Sequence, residues 1–283
     1  STLMRSSAAS DVYKRQGRGR IFREYWGAVR YQGTFNDPNQ LAFFLFMMIL
    51  LLYLYRCRFG DRSFPVFYVL ALPVIAASKS TGILLGVLIF TVLAVLHALY
   101  RVGCRKGVSM KVWTLGIVIG VVLFGLFLWW IWPAADFDVK TVDYNMLTRI
   151  QEKIWKVAHG GLLGLFLDRG MEKLVLYPQY LLYGAGEGGF DRFTLASQVN
   201  EIHCCLFSVM FCYGLIPTLC LLVWLGRKLR YADAAMACAV MGLLAESFFL
   251  VNYRQPMFWM ILLYGSVVRM DGDGERTSIP VAE

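Results

Sequence analysis

The chain has 283 residues, 58% of them hydrophobic and 17% charged, with a mean hydropathy of +0.55. Soluble domains run at about 45–50% apolar and about 25% charged, so this composition excludes an ordinary soluble domain and points to a polytopic membrane protein. The net charge of +9 does not mark a nucleic-acid binder, because no basic face interleaves with stacking aromatics.

Residues 1–16 stand apart. Asp11-Val-Tyr-Lys-Arg-Gln16 resembles the in-frame translation of a sequencing adapter, so this stretch is expected to be an artefact and the chain a fragment lacking its natural start. A short external motif segment, 17–40, follows. A transmembrane helix needs about 20 apolar residues, and residues 41–132 hold four candidate spans: Leu41–Tyr55, Phe64–Ala77, Ile83–Tyr100 and Val112–Trp132. Ser78-Lys-Ser-Thr-Gly82 predicts a tight turn between the second and third. A long polar loop, 133–201, interrupts the pattern. Residues 202–270 carry three more spans, Leu206–Trp224, Ala232–Val251 and Met257–Val268, before a polar tail, 271–283.

Sidedness follows from the basic residues. Arg56, Arg58 and Arg62, then Arg101, Arg105, Lys106 and Lys111, then Arg227, Lys228 and Arg230 occupy alternate links. The positive-inside rule puts these links in the cytoplasm. Lys79, Arg254, the long loop and the segment before Leu41 then share the outer side. The expected fold is all-α: a polytopic transmembrane helix bundle of about seven spans with one long external loop containing short amphipathic helices.

Within that loop, Leu147, Ile150, Ile154 and Val157 recur at helical spacing opposite Arg149, Gln151, Glu152, Lys153 and Lys156. The pattern predicts a helix lying on the membrane surface or capping the bundle. Asp168 to Tyr177 predicts a second short helix ended by Pro178. Long loops carry function more often than stability, and this one ends in Gly184-Ala-Gly-Glu-Gly-Gly189. That cluster satisfies a dinucleotide fingerprint only formally, since the fingerprint needs a strand–turn–helix unit in a parallel sheet. A tight turn whose amides approach a phosphate or sugar fits better, with Gly184 and Gly186 as candidates.

The polar residues available to the outer face are mostly cationic: Arg30, Lys79, Arg149, Arg169, Arg192 and Arg254. Arginine suits bidentate phosphate recognition, and each of these side chains has the alternative of snorkelling to a headgroup. His203 enters the fifth span and is the candidate general base, since an ordinary pKa of about 6.5 allows proton transfer near neutrality. The 7 cysteines show no metal-ligand spacing and read as small hydrophobes. Cys204 and Cys205 lack the partners a thiol nucleophile needs. Glu246, deep in an apolar run, is a candidate for a supporting role.

Four motifs fall in a familiar order. Arg30, Gly33, Phe35, Pro38, Asn39, Leu41 and Ala42 resemble the R-x-x-G-x-F-x-x-P-N-x-L-A signature of the O-antigen ligase and polymerase superfamily. Ser78-Lys-Ser-Thr-Gly82 resembles its S-R-x-G turn, with Lys79 in place of arginine. Arg169, Tyr177-Pro178 and Gly184 to Phe190 resemble its outer loop. His203 with Tyr213-Gly-Leu-Ile-Pro217 resembles its H-N-x-x-L…G-L-x-G element, with Cys204 in place of asparagine.

The resemblance implies a metal-independent membrane glycosyltransferase without a cofactor, acting at the outer face of the bacterial inner membrane. Its donor would be an undecaprenyl-diphosphate-linked glycan, its acceptor a glycan or lipid hydroxyl, and membrane lipid its surroundings. His203 would activate the acceptor, Arg30 and Arg169 would bind the diphosphate, and Asn39 would belong to the same site. The rival class is a transporter of polysaccharide or lipid-linked sugar, which predicts charge along the bundle interior and paired repeats.

Overall fold

A computed structural model of the chain describes residues 21–25, 28–107, 109–132, 146–196, 201–230 and 232–267. The adapter-like stretch and the polar tail lie outside the described residues. The architecture is mostly helical. The sequence gives no warning of one exception, a two-stranded antiparallel hairpin of β1 (Phe22–Tyr25) and β2 (Ala28–Tyr31), with Arg23 opposite Arg30.

Four helices follow the hairpin, each near an expected span: α1 (Pro38–Phe59), α2 (Ser63–Ser78), α3 (Thr81–Lys106) and α4 (Met110–Trp130). Local chemistry sets their ends. The Asp37 side chain accepts from the Asn39 amide at 2.7 Å, and Pro38 pre-sets the first turn of α1. The expected turn between α2 and α3 forms at Lys79, which adopts φ +53.

The described part of the long loop, residues 146–196, is folded. It holds α5 (Met146–Asp168, kinked at Gly161), α6 (Glu172–Leu176) and α7 (Gln179–Tyr183). Part of the expected amphipathic pattern is turned around: Leu147 and Val157 are exposed while Glu152 is buried and pairs with Lys156 at 3.1 Å. The second short helix starts at Glu172 rather than Asp168, because residues 169–171 form a turn closed by amide bonds to Phe166 and Leu167.

The fifth expected span is broken. α8 (Cys205–Tyr213) stops at Gly214, φ +88, and α9 (Leu215–Arg230) resumes after it. α10 (Ala234–Ser247) and α11 (Pro256–Val267) are the last described helices.

Two cores result. The larger joins α1, α2, α3, α10 and α11 through residues such as Phe46, Ile75, Phe90, Leu243 and Ile261. Its closest crossing is α3 on α10. A Cβ on Gly86 would sit 2.7 Å from the Glu246 Cβ, and one on Gly242 2.6 Å from the Phe90 Cβ, so only glycine admits this approach. The smaller core packs Met171, Leu174, Phe193, Ile202, Cys204 and Phe211, and thereby fixes the folded loop onto α8.

α1 and α3 are long and apolar enough to cross a membrane; α2, α10 and the Val118–Phe127 part of α4 are apolar but shorter. The bundle has two chemically distinct ends. The start of α1, the turn at Lys79 and residues 248–254 meet the folded loop at one end. Arg56, Arg101 and Asp233 gather within electrostatic reach of Cys57 at the other.

Candidate functional site

Arg30 is the first anchor. It leaves β2 buried, its Nε donates to the Ser78 carbonyl at 2.7 Å, and its second guanidinium nitrogen donates to Asn39 Oδ1 at 2.8 Å. The hairpin, the first turn of α1 and the last residue of α2 are thus tied through one guanidinium. Asn39 is oriented from both sides, since its amide is held by Asp37. Lys79 lies one residue beyond the Ser78 carbonyl, half-buried.

Arg169 and His203 form the second group. The turn after α5 presents the Arg169 carbonyl to the His203 amide at 2.9 Å. The Arg169 guanidinium reaches the other way, donating to the Phe249 carbonyl at 2.6 Å and lying 4.9 Å from the centre of its ring. Burial pushes the half-buried His203 imidazole below its ordinary pKa; the Arg169 charge and, less strongly, Lys173 add to this, while Glu201 opposes it. The neutral, proton-accepting form is therefore favoured.

Lys173 was not legible in the sequence. It is fully buried in the small core, and burial lowers its ammonium pKa against the opposing charge of Glu172. A lysine on a five-residue helix gives no sequence signal of burial; only the fold reveals it.

Arg254 is the centre of the third group. Its Nε lies 2.6 Å from Glu187 and its Nη1 2.5 Å from Glu201. Glu187 also accepts from Tyr213 Oη at 2.9 Å and from the Tyr253 hydroxyl. Burial alone would raise the Glu187 pKa, but the two tyrosine hydrogen bonds and Arg254 outweigh it and leave it below the ordinary value. Arg254 is thus occupied by two carboxylates, which gives it a role in fastening the loop. Glu187 had a visible signal: it is the one acidic residue inside a cluster of small ones, with an outer-side arginine to meet.

The glycine turn serves packing. Gly184, Ala185 and Gly186 donate their amides to the carbonyls of Tyr180, Phe211 and Cys212 at 2.9, 2.8 and 2.8 Å. The amides of Gly184 and Gly186, expected to approach a substrate, are committed to the protein itself. A Cβ on Gly184 would meet the Cys212 carbonyl at 2.6 Å, and one on Gly214 the Leu182 carbonyl at 2.5 Å. The two glycines allow loop and α8 backbones to touch.

Glu246 is buried at the end of α10 and accepts from Asn252 through Oε1, while Oε2 has no hydrogen-bond partner among the described residues. Its backbone carbonyl accepts from the Phe249 amide, so the residue shapes the turn that holds Arg169. The Arg149 side chain lies outside the described residues. Arg192 stacks on Phe193 and donates to the Ala185 carbonyl, again within the loop.

These elements define a mostly helical protein with a folded polar cap, in which a histidine and an arginine are joined through the backbone beside a second, arginine-bearing turn. No family model, curated protein or solved structure matches the chain.

Proposed function

We propose that this chain is a membrane glycosyltransferase of the O-antigen ligase or polymerase type, spanning the bacterial inner membrane about seven times with its site on the periplasmic face. It transfers a glycan from undecaprenyl diphosphate to an acceptor hydroxyl in cell-surface polysaccharide assembly. The observation that carries the reading is the His203 amide bond to the Arg169 carbonyl. It ties the residue whose neutral imidazole could take the acceptor proton to the residue whose guanidinium, within electrostatic reach of that imidazole, could stabilise the departing diphosphate.

Several features support it. The order of motifs in the sequence agrees with the metal-independent chemistry. The cationic end meets the folded loop, and the basic links Arg56 and Arg101 lie at the opposite end, as the positive-inside rule requires of an external site. Outward-facing Leu147 and Val157 on α5 suit a helix resting on lipid.

The test is a deletion strain complemented with wild-type or His203→Ala protein in its full-length form. The variant is expected to reach the membrane and to lose surface glycan on gels; retained glycan with the variant refutes the base assignment. Loss of long chains with single repeats kept identifies a polymerase, and accumulation of free lipid-linked glycan a ligase.

One observation favours a transporter instead. Buried Glu246 sits where a coupling carboxylate would. Glu246→Gln keeps an acceptor for Asn252 and removes the charge. Glycan transfer is expected to survive it, whereas a transporter driven through that carboxylate loses coupling.

A further inference from the structure

The face of α9 that packs on the large core breaks its own pattern once. Leu221, Leu225 and Leu229 lie against that core, at the four-residue spacing of one helix face. Lys228 falls on the same face, three residues after Leu225, where another apolar side chain would complete the stripe. It is half-buried there, and its Nζ lies 5.8 Å from the centre of the Trp224 ring. No carboxylate pairs with Lys228 or with its exposed neighbour Arg227 among the described residues. Asp233, the acidic residue of the adjoining link, is committed to capping α10: its Oδ1 accepts from the Met236 amide at 2.6 Å.

Lys228 stands over a partly open groove between three helices. Leu225 and Leu229 of α9 form one wall, and Met236 and Val240 of α10 with Leu262 of α11 form a buried apolar floor. The cations gather where the last turn of α9 carries Arg227, Lys228 and Arg230. An ammonium beside apolar walls is costly unless an anion meets it. One molecule offers both the anion and methylenes to follow it inward, a phospholipid with a negative headgroup. On the membrane reading proposed above, the basic links put this end in the cytoplasm, where the leaflet surface is negative and basic pockets between spans take anionic headgroups.

We infer that the groove between α9, α10 and α11 binds an anionic phospholipid of the cytoplasmic leaflet, at a site that presupposes the membrane reading and not the glycan chemistry. Lys228 donates to a phosphodiester oxygen from its place over Trp224, and Arg227 adds a second charge at the rim. The first methylenes of one acyl chain lie along Leu225, Leu229, Met236 and Val240. A zwitterionic lipid offers the same methylenes but brings its own cation to the phosphate, so the two basic residues discriminate against it. Because the lining comes from three helices, bound lipid also raises thermal stability.

The test is native mass spectrometry of the full chain released from micelles holding equal amounts of phosphatidylglycerol and phosphatidylcholine. Wild type is expected to retain phosphatidylglycerol in preference to phosphatidylcholine and to melt higher in its presence. Lys228→Gln is expected to weaken that preference about fivefold, the contribution of one basic residue near a lipid surface. Lys228→Arg is expected to keep it, as is Arg105→Gln, an exposed cation in the last turn of α3 that does not line the groove. Ala232→Phe, which adds a ring to the groove lining, is expected to exclude the lipid with every charge intact. Unchanged preference in both Lys228→Gln and Ala232→Phe overturns the site. Equal losses in Lys228→Gln and Arg105→Gln also overturn it, since they mark diffuse surface charge.

Glycerol 1-phosphate added to the micelles separates the anion from the lipid. Lipid that stays bound supports the acyl contact, whereas displacement at matched concentration makes this a phosphate site and overturns the lipid. Flotation with phosphatidylcholine vesicles checks the membrane reading by itself. A chain that floats and shows no preference for phosphatidylglycerol refutes the site alone; a chain that does not float refutes the membrane reading and the site with it.

Discussion

The His203 amide donates to the Arg169 carbonyl at 2.9 Å, so the two residues are positioned by backbone rather than by side-chain contact. Either side chain can be replaced without breaking that bond, though a change at Arg169 also removes its anchor on the Phe249 carbonyl and ring.

The first prediction concerns pH. His203 has an ordinary value of 6.5 and is pushed below it by burial and by Arg169. On the proposed transferase reading the base must be neutral to take a proton, so that reading places the acidic limb of the pH–rate profile below pH 6.5. Lys173→Met removes one of the lowering charges and is expected to move that limb upward. Stability follows the same sign. As pH falls through 6.5 the unfolded chain takes up the proton first, so the folded state loses stability from 6.5 down to the lowered value. Above 6.5 the histidine is neutral in both states and contributes nothing. A limb at or above 6.5 in the wild type refutes the environment assigned to His203.

Arg169→Lys keeps the charge and loses the geometry. The guanidinium bonds the Phe249 carbonyl and also lies over the Phe249 ring, and an ammonium cannot hold both in the same plane. On the proposed transferase reading, transfer is expected to fall by about 10–100-fold, the equivalent of about 1.4–2.8 kcal/mol, at an unchanged level of protein. Rates within twofold of wild type refute the stacked arrangement.

How far the sequence reached is clearest at this pair. Apolar runs located α1 to α4, α10 and α11, because an apolar run of that length favours a helix over a strand. The pattern ran through Gly214, since an apolar stretch interrupted by one glycine has the same composition whether bent or straight. Arg30 and Arg169 were two of six cations available to the outer face and His203 a lone titratable group at the start of an apolar run; the family resemblance singled out the two arginines. Their anchors did not stand out: Ser78 and Phe249 act through backbone carbonyls, which no side-chain pattern encodes. Lys173 and Glu201 were likewise hidden, because burial and pairing of a loop charge depend on contacts between distant segments.

Glu187 carries the third prediction. The hydrogen bonds from Tyr213 and Tyr253 and the charge of Arg254 hold its carboxyl below the ordinary 4.5, against the effect of burial. A carboxylate lowered by folding contributes stability above 4.5 and loses it as pH falls through the lowered value. The clasp between the glycine turn and residues 252–254 is therefore expected to loosen in acid. Wild type should melt earlier as pH drops below about 4.5, and Glu187→Gln should flatten that dependence while protease nicks the 184–201 segment faster at neutral pH. Equal slopes in the two proteins refute a Glu187-dependent clasp.

The glycine turn gives a paired test of packing against conformation. Gly184 and Gly186 both have positive φ, +81 and +78. A Cβ at Gly184 meets the Cys212 carbonyl at 2.6 Å, whereas one at Gly186 meets nothing within 4 Å. Gly186→Ala therefore incurs backbone strain alone, about 1–3 kcal/mol. Gly184→Ala adds a collision with backbone that cannot swing aside, worth a further ~1–3 kcal/mol, and it pries the turn from α8. Chemical denaturation of the two variants is expected to separate them in that order, with Gly184→Ala also loosening the contact of Glu187, three residues on, with Arg254. Equal destabilisation of the two means that the loop does not dock on α8 through Gly184, and that the glycines answer only to local turn geometry.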